Sequence, residues 1–508
     1  MALKAILNRA GKRRAAKRPL GAAPTLPNLA SAGRETLRRE LERLRRELER
    51  LDRENQELRQ QIADLERQLA GRKKDSTNSS KPPSSDGPAA VRRWKPARCR
   101  GRRQAGGQKG HPGRHRELEP PERVDQIVAV LPAGCRHCGQ SLPPRIEQVR
   151  TVGDVQRYQV SELPPLRAQV IEYQCHKVAC PRCGRASRAP LPAEVRSSLF
   201  GPRLAGLIAY LTVGLRLPRR GVEQLLETAL GIEISLGSTQ KLVEESSEAL
   251  AASCRELEQR LPQEPVLNSD ETGWRSRGER RWLWALVAGS FVFFTVAASR
   301  SSQVLIHLLG AVFPGILCSD RFGAYLKYHK GRAQFCWAHL KRDLLGIGAF
   351  ARSSDAERFC RDALALTARL FRLWHRFRGG GFDRGELIRR SIPLEKRFFT
   401  LCEQHLDSED EEVRVLASAL FQHCDRLFAF IEHPGVEPTN NSAERTLRHA
   451  VIWRKICFGN QSAQGEIATA RLLTVARTCV MQRRNVLEFL SESVRRYRAG
   501  QPALSLVQ

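Results

Sequence analysis

The stretch Val266-Leu267-Asn268-Ser269-Asp270-Glu271-Thr272-Gly273-Trp274 joins a short apolar run to an acidic pair and a glycine. This pattern predicts a buried strand that delivers carboxylates to a turn at the edge of a sheet, where sites in mixed α/β proteins tend to lie. A similar run further along the chain, Gly315-Ile316-Leu317-Cys318-Ser319-Asp320, also ends in an aspartate. Taken singly, an aspartate after a strand more often forms a turn or caps a helix than takes part in catalysis.

The sequence around these two runs predicts a mixed α/β sheet. The aromatic and branched run from 282 to 298 is shorter than the roughly 20 residues of a membrane span. Gly289-Ser290 divides it into two strand-length pieces, which predicts a β-hairpin. Beyond it we expect a helix near 303–309, a strand ending at Asp320, a helix through Tyr325, and a strand at 333–337 that leads to His339.

The α/β pattern is interrupted by residues 352–432, which predict helices broken at Gly379-Gly380-Gly381 and at Pro393. A further helix opens near Thr439 and carries Glu444, and a last one covers 467–483 before a basic amphipathic end. Asn441 and Glu444 also fit a capping box, in which the glutamate side chain reaches back to the helix start. In isolation this structural interpretation of Glu444 is the more favoured one.

The charge of the chain points to a polyanionic partner. Its 508 residues suffice for roughly three domains. A formal net charge of +31 makes nucleic acid the first partner to consider and an anionic membrane surface the second. The start has no apolar core of a secretory signal. The fourteen cysteines are scattered apart from two CxxC pairs. We therefore expect a soluble intracellular protein without a membrane span.

Residues 34–70 carry a heptad seam that follows a basic arm, 1–33, which we expect to be disordered. Leu44, Leu51, Leu58 and Leu65 recur every seven residues, and Asn55 occupies a core position between them. Such a lone asparagine fixes register and favours two strands, so the seam predicts a parallel homodimeric leucine zipper. A solvated single helix is the alternative.

The segment 71–117 is a basic linker rich in Gly, Pro and Ser. Lys109 lies in its densely cationic part, within Gly106-Gly107-Gln108-Lys109-Gly110-His111. A flexible cationic segment of this kind suits phosphate contacts that give affinity without sequence choice. A plain solvated tether fits the same composition.

Residues 118–192 hold the two CxxC pairs, Cys135/Cys138 and Cys180/Cys183. Paired CxxC knuckles supply four thiolates for one tetrahedral structural Zn²⁺. Their separation is long, so we expect a strand-rich insert between them, at 149–171. Unrelated core cysteines are the alternative, and Cys175 or His176 could replace a ligand.

Residues 193–260 have helical periodicity, with one helix at 219–230, a Gly-containing turn at 231–235 and a second helix at 237–245. This arrangement fits a helix-turn-helix DNA reader, in which Arg219 and Arg220 would contact DNA. A plain helical hairpin fits equally well.

Asp270, Asp320 and Glu444 gain meaning as a set. Two aspartates after strands and a helix-borne glutamate, in a strongly basic chain, can hold two divalent ions against a phosphodiester. Mg²⁺ suits such a site because it binds a few carboxylates and keeps waters and phosphate oxygens. Arg445 and Arg448, on the same helix as Glu444, could contact phosphates.

The motifs together resemble the transposases of the insertion sequence 66 family, which are DDE enzymes with a ribonuclease-H-like core. They are the segment 75–86, Gly106-Gly107-Gln108-x-Gly110-His111, the double CxxC, Asp270-Glu271-Thr272, Asp320-x-x-x-Ala324-Tyr325, Cys336-Trp337-Ala338-His339-Leu340-Lys341-Arg342, and Asn441-x-Ala443-Glu444-Arg445-x-Leu447-Arg448. The resemblance spans nearly the whole chain in the family's order.

This resemblance implies a ribonuclease-H-like core in two parts, 261–350 and 433–465, with a helical insertion at 351–432 and a C-terminal helical region at 466–508. It implies that Asp270, Asp320 and Glu444 bind two Mg²⁺ or Mn²⁺ ions, with Glu271 the less favoured ligand. His339 and Arg342 would contact substrate or support the site, although core packing explains His339 as well.

The implied activity is cleavage at the ends of an insertion sequence and joining of 3′-hydroxyl ends to target DNA. The partners would be DNA, a second copy of the chain and accessory transposition proteins, in a bacterial cytoplasm and at the nucleoid. One alternative is a dimeric zinc-dependent DNA-binding regulator without catalysis. Another is a ribonuclease-H-like nuclease that does not join strands.

Overall fold

The computed structural model describes residues 33–73, 117–192, 195, 198–328, 331–351 and 353–507. These belong to two units, 1–75 and 76–508, which are described separately. The basic arm and most of the linker, with Lys109, lie outside the described residues. No helix in the described ranges is both long and apolar enough to cross a membrane.

The described part of the first unit is one long helix, α1 (Arg34–Lys73). Its heptad leucines stand in solvent: Leu44 is 56% exposed, Leu51 46% and Leu58 50%. Asn55 is exposed on the same helix, whereas the side chain of Leu65 lies outside what is described. The predicted helix is confirmed. The exposed leucines fit an unpaired zipper helix and a solvated single helix alike, so the zipper stays a prediction.

The CxxC segment, 117–192, contains little regular structure. Its strands β1 (Lys177–Ala179) and β2 (Ala186–Arg188) form an antiparallel hairpin around the second knuckle. The strand-rich insert expected at 149–171 is wrong, because no strand is found there. Its apolar side chains, among them Val152 and Val160, are exposed and have no core to pack against.

Residues 198–263 form a helical layer. Its helices are α2 (Pro202–Ala209), continued by a π-helical turn (Tyr210–Gly214), α3 (Arg219–Leu230), α4 (Leu236–Ala249) and α5 (Ala251–Arg260). The predicted helix, turn and helix are confirmed. Gly231 ends α3 in the left-handed region, with φ +64°, and the Ser235 hydroxyl caps α4 by accepting from the Ser238 N–H.

The sheet has five strands in the order β5-β4-β3-β6-β7. They are β3 (Val266–Ser276), β4 (Glu279–Val287), β5 (Val292–Ala297), β6 (Ile316–Ser319) and β7 (Ala333–Phe335). The first three pair antiparallel, and β3-β6-β7 pair parallel. Arg277 and Gly278, both with positive φ, make the tight turn between β3 and β4. The predicted mixed α/β sheet is confirmed.

Two helices connect these strands, and a third follows the last strand and continues the α/β pattern. They are α6 (Ser302–Leu309), α7 (Gly323–Tyr328) and α8 (Trp337–Ala349). The helices that follow are α9 (Ser354–Arg378), α10 (Arg384–Glu403), α11 (Glu411–Gln422) and α12 (Ala429–Glu432). Pro393 lies inside α10, so the predicted break there is wrong. Buried residues on both sides of it, Leu387 and Phe398, hold the helix against its neighbours.

The chain returns to the sheet with α13 (Asn441–Cys457) and ends with α14 (Ala463–Met481) and α15 (Val486–Arg498). One hydrophobic core combines β3–β5 with α2–α5 and α13–α15. A second core joins β6, β7 and α8 to α9–α12. The helical layer before the sheet and the C-terminal helices therefore pack together, although they lie far apart in sequence.

Candidate active site

Strand β3 carries the acidic pair in its middle rather than at a turn. The predicted turn is wrong because β3 continues to Ser276, paired with β4 throughout. Its parallel pairing with β6, however, ends at Asn268 opposite Cys318. Asp270 lies two residues beyond that pairing, and Asp320 directly follows β6. Both aspartates therefore lie at the carboxyl edge of the parallel strands, as predicted.

Asp270 and Glu271 point to opposite faces of the sheet, because side chains alternate along a strand. Glu271 is buried, and its carboxylate forms an ion pair with the Arg300 guanidinium, Nε to Oε1 at 2.7 Å. The Tyr325 hydroxyl donates to the other oxygen of Glu271. The Arg300 guanidinium in turn lies 3.8 Å from the centroid of the Phe322 ring. Burial raises the pKa of Glu271, and the Tyr325 hydroxyl and the Arg300 guanidinium oppose that rise, so the charge of this carboxylate has partners within the protein.

Asp320 turns the chain into α7. Its Oδ1 accepts the backbone N–H of Phe322 at 2.9 Å, which holds the carboxylate at the edge of the sheet. Burial raises the pKa of Asp320, and the hydrogen bond from Phe322 and the charges of Arg300 and Arg321 oppose that rise. Asp343, which forms an ion pair with Arg321, adds a weaker repulsion.

The first turn of α13 is fastened to β3 by Asn440, a residue with only 1% of its surface exposed. Its side-chain amide donates to the carbonyl of Ser269 at 2.8 Å and accepts from the Asn268 amide at 3.0 Å. Its backbone N–H donates to the Cys336 sulfur at 3.1 Å. One side chain thereby connects the start of α13 to the strand residue before Asp270.

Further along α13, Arg454 makes a second connection to β3. Its guanidinium donates to the Gly273 carbonyl and, at 3.2 Å, to the Thr272 hydroxyl. The Trp453 and Trp274 rings pack nearby, with centroids 6.0 Å apart. Helix α13 is therefore held along β3 at both ends, and Glu444 is carried back beside the sheet across the helical insertion.

Glu444 does not cap its helix, so the capping-box interpretation is wrong. Asn440 is the residue before α13, and the Glu444 carboxylate instead accepts from Arg342 on α8 at 3.3 Å. His339 Nδ1 lies 3.4 Å from the same oxygen. Burial raises the pKa of Glu444, while Arg342 and Arg448 oppose that rise and Asp320 adds repulsion.

The carboxylates of Asp270, Asp320 and Glu444 repel one another electrostatically. Burial raises the pKa of Asp270 well above its usual range, and the negative charges of Glu271, Asp320 and Glu444 add to the rise. In the described part of the chain, the Asp270 carboxylate accepts only the backbone N–H of Glu271, at 2.9 Å. A half-buried carboxylate among others and without a cationic partner suits a hard divalent cation.

Cys336, His339 and Glu444 form a second group of possible ligands, with ligand atoms within 4.8 Å of one another. Among the described residues the three triad carboxylates do not meet that limit as a set. Burial and the charges of Arg342 and Arg321 lower the pKa of His339 to about 3, so the imidazole is neutral and forms no ion pair. Its Nδ1 is buried without a hydrogen bond in the described structure and faces Glu444.

The predicted DNA-contacting arginines fall into two groups. Arg220, Arg445 and Arg448 are exposed. Arg219 bonds to the Gln240 side chain at 2.8 Å, and Arg342 is held by Glu444 and by the Ala338 carbonyl. Helix α4 also buries much of its surface, including Thr239, Leu242 and Val243. The exposed three remain candidates for phosphate contact, whereas Arg219 is engaged within the protein.

Each CxxC pair forms a knuckle with the same backbone hydrogen bonds. The N–H of Cys135 donates to the Gln140 carbonyl at 2.8 Å, and the N–H of Cys180 donates to the Arg185 carbonyl at 2.8 Å. Backbone N–H groups inside each knuckle lower the pKa of the Cys135 and Cys180 thiols, which favours thiolate. The described structure does not gather three or more of the four sulfurs within 4.8 Å, so the shared zinc site stays a prediction.

Four residues that support the site were not predicted from the sequence, namely Asn268, Arg300, Asn440 and Arg454. Their partners are distant along the chain, 172 residues for Asn268 and Asn440 and 181 for Arg454 and Gly273. Only Asn440 had a local signal, its place before a helix start, although its side chain bonds to β3 instead of capping α13.

Comparison with known proteins finds two family models that match this chain. Residues 197–467 match the model of the transposase IS66 family, and residues 24–117 match a family of unknown function, DUF6444. Two relatives come from Sinorhizobium fredii (strain NBRC 101917 / NGR234). Uncharacterized protein y4qI is 25% identical over 75% of this chain and 74% of its own length. Uncharacterized protein y4hP is 23% identical over 70% of this chain and 69% of its own length.

The family match covers more than half of the chain, including the sheet, the helical insertion and α13 with its glutamate. A match to a transposase family does not favour the alternative of a DNA-binding regulator without catalysis. The chain belongs to the IS66 family of transposases.

Proposed function

We propose that this transposase cleaves DNA at the ends of its insertion sequence and joins the resulting 3′-hydroxyl ends to target DNA. Asp270, Asp320 and Glu444 would be the catalytic residues, on a ribonuclease-H-like core. The observation that carries the proposal is that Asp270 and Asp320 share the carboxyl edge of the parallel strands, while α13, which is fastened to β3, carries Glu444 back to the same sheet. Phosphodiester chemistry on a strongly basic protein needs such an uncompensated acidic centre.

The three carboxylates would hold two Mg²⁺ or Mn²⁺ ions. Divalent ions in such a site activate the attacking oxygen and stabilise the leaving oxygen of the phosphodiester. The donor set suits them, since carboxylate oxygens are the ligands that Mg²⁺ prefers. Asp270 supports this fit best, because it lacks any cationic partner among the described residues.

The neighbours of the triad would position it rather than react. Arg342 holds the Glu444 carboxylate from α8, and Asn440 keeps the start of α13 against β3. The neutral His339 offers its free Nδ1 beside Glu444, as a further ligand or as a donor to a substrate phosphate. Exposed Arg445 and Arg448 would contact the DNA backbone next to the cleaved bond.

We also propose a homodimer through α1 and a zinc-bound knuckle module. Exposed Leu44, Leu51 and Leu58 support the first, because a seam of this kind buries its leucines only against a second helix. The thiolate-favouring turns at Cys135 and Cys180 support the second. Cys138 and Cys183 would complete the four ligands.

The test uses the full-length protein and DNA carrying the terminal repeats that flank its gene. The Glu444→Gln variant should bind this DNA like the parent protein and fail to cut it in Mg²⁺. A parent protein that cuts but cannot join a pre-cut 3′ end would be a nuclease rather than a transposase. A Glu444→Gln variant that cuts as fast as the parent would refute the triad.

A further inference from the structure

The far end of helix α13 exposes an aromatic ring in an unusual setting. Phe458 follows the last helical residue with φ +59°, a conformation that a bulky residue adopts only with strain. Its side chain is 78% exposed, so burial of the ring does not compensate for that strain. A position that favours glycine and yet presents a phenyl ring to solvent indicates a binding role.

The turn that presents Phe458 is held firmly against the end of β3. Gly459 lies so close that an added Cβ would come within 2.2 Å of the Arg275 carbonyl oxygen. The Asn460 N–H donates to that carbonyl at 2.9 Å, and the Arg277 N–H donates to the Asn460 carbonyl at 2.9 Å. The Asn460 side chain bonds onward to Thr469 at 2.8 Å. The ring is therefore displayed from a rigid support, which reduces the entropy lost on binding.

Exposed cationic residues lie on both elements that adjoin the Phe458 turn. Arg275, Arg277 and Arg280 are exposed on the β3–β4 hairpin, which contacts the Phe458 turn through Asn460. Lys455 is exposed one turn earlier on α13, and the exposed face of the helix continues back through Ile452 to Arg448 and Arg445. The one acidic residue in the hairpin turn, Glu279, forms an ion pair with Arg281 at 2.8 Å.

This cationic face ends at the proposed active site, because Glu444 lies in the first turn of the same helix. Fourteen residues separate Glu444 from Phe458 (458 − 444), which is about 21 Å of α-helix. A DNA strand of that length holds about six nucleotides at 3.4 Å each. A DNA strand that lies along α13 would thus have its cleaved bond near Glu444 and reach Phe458 about six nucleotides away.

We propose that Phe458 stacks on an unpaired base of the DNA about six nucleotides from the cleaved phosphate, while Arg275, Arg277 and Lys455 contact the flanking phosphates. This rests on the proposed function for the position of the cleaved bond. An aromatic side chain set among cations is the usual platform for single-stranded nucleic acid, since every base offers a stacking face. A second protein copy is the less favoured occupant, because the exposed arginines of the adjoining β3–β4 hairpin would repel their own equivalents.

The experiment measures binding of full-length protein to two fluorescein-labelled probes at one salt concentration. One is a 30-base-pair duplex with a four-nucleotide single-stranded tail, and the other is its fully paired counterpart. The ratio of the two affinities removes the non-specific contribution of the basic arm and linker. Phe458→Gly is the test variant, because glycine accepts the positive φ and keeps the turn folded.

We expect Phe458→Gly and Phe458→Leu to bind the tailed probe about tenfold more weakly while binding to the paired probe stays within about twofold. Phe458→Trp should restore the preference for the tail. Arg277→Ala, as a matched control, should weaken both probes equally and lower the salt dependence by about one phosphate contact. An unchanged ratio in Phe458→Gly overturns the proposal.

Two further measurements separate base stacking by Phe458 from a contact between protein copies and from the catalytic proposal. If Phe458→Gly changes the sedimentation of the protein but not its DNA binding, the ring contacts another copy and the proposal is wrong. Glu444→Gln should keep the preference for the tailed probe. If Glu444→Gln still cuts DNA, the catalytic proposal fails while the stacking result stands by itself.

Discussion

Asp270 and Glu271 are adjacent residues of the same charge, and the structure treats them in opposite ways. Glu271 is buried on one face of β3 and is matched by the Arg300 guanidinium and the Tyr325 hydroxyl. Asp270, on the other face, accepts only one backbone N–H in the described structure and is repelled by three carboxylates. The difference teaches that charge compensation separates a structural carboxylate from a functional one.

Arg300 is central to this difference because its charge acts on more than one carboxylate. It pairs with Glu271 and also opposes the rise in the pKa of Asp320. The Phe322 and Trp282 rings lie beside its guanidinium, with centroids at 3.8 and 4.9 Å, and hold it in place. No cation of the described chain pairs with Asp270 in this way.

The largest expected effect separates the two carboxylates by their role in catalysis. Asp270→Asn should slow Mg²⁺-dependent strand cleavage by about 1,000-fold or more, equivalent to about 4 kcal/mol of activation free energy. Glu271→Gln should slow it by no more than about tenfold. Single-turnover cleavage of a terminal-repeat duplex measures both, with DNA affinity as the control. Equal losses of cleavage rate in the two variants would mean that Asp270 and Glu271 do not differ in their catalytic role.

The second effect concerns stability. Arg300→Met leaves the buried Glu271 carboxylate without its ion pair and should lower the free energy of unfolding by about 2–3 kcal/mol. This is below the range for fully buried pairs, because the guanidinium side chain is 36% exposed. Urea unfolding measures the change. The double variant Arg300→Met/Glu271→Gln should be more stable than Arg300→Met alone, because it removes the unpaired buried charge. If the losses of unfolding free energy in the two single variants simply add, Arg300 and Glu271 do not stabilise each other.

A smaller effect tests whether Asp270 awaits a cation. Mg²⁺ should raise the melting temperature of the parent protein by a few degrees, since saturating ligand stabilises by about 2–3 kcal/mol. The rise should disappear in Asp270→Asn and persist in Glu271→Gln. Thermal melting followed by circular dichroism, without DNA, measures this independently of activity. Equal Mg²⁺ shifts in all three proteins would exclude Asp270 as a ligand.

The smallest effect is on the pH dependence of stability without divalent ions. In the folded protein the pKa of Asp270 is raised above its value in the unfolded chain, which is about 4. The proton on Asp270 therefore stabilises the fold fully below about pH 4. This stabilisation is lost as the pH rises through the pKa of the folded state. Asp270→Asn should therefore melt above the parent at pH 8, with the difference shrinking toward pH 4. A difference that grows on acidification would show that the sign of the pKa shift is wrong.

Much of the local structure could be predicted because its signals are local. The spacing of Leu44, Leu51 and Leu58 gives the long helix α1, and Gly231 marks the end of α3. Gly289-Ser290 divides the hairpin strands β4 and β5. The predicted turn after Asp270 failed for a tertiary reason. β4 pairs with β3 from Asn268 to Ser276 and extends the strand past a glycine that would otherwise favour a turn.

The site was predictable in its residues but not in its contacts. Asp270, Asp320 and Glu444 could be chosen from their positions after apolar runs, from the basic chain and from the family motifs. The capping-box interpretation of Glu444 failed because Arg342, about a hundred residues earlier, holds the carboxylate. Sequence patterns report the nearest few residues, whereas a buried carboxylate takes its partner from whatever the fold brings beside it.

By itself, the sequence determined the order of helices and strands, the family, and which side chains carry acidic or thiol chemistry. Only the tertiary structure decided that α13 lies along β3, that Glu271 is paired with Arg300, and that Phe458 is displayed beside an arginine-rich hairpin. The physical reason is that periodicity and turn propensity act over a few residues. Charge compensation and exposure depend instead on segments that meet only when the chain has folded.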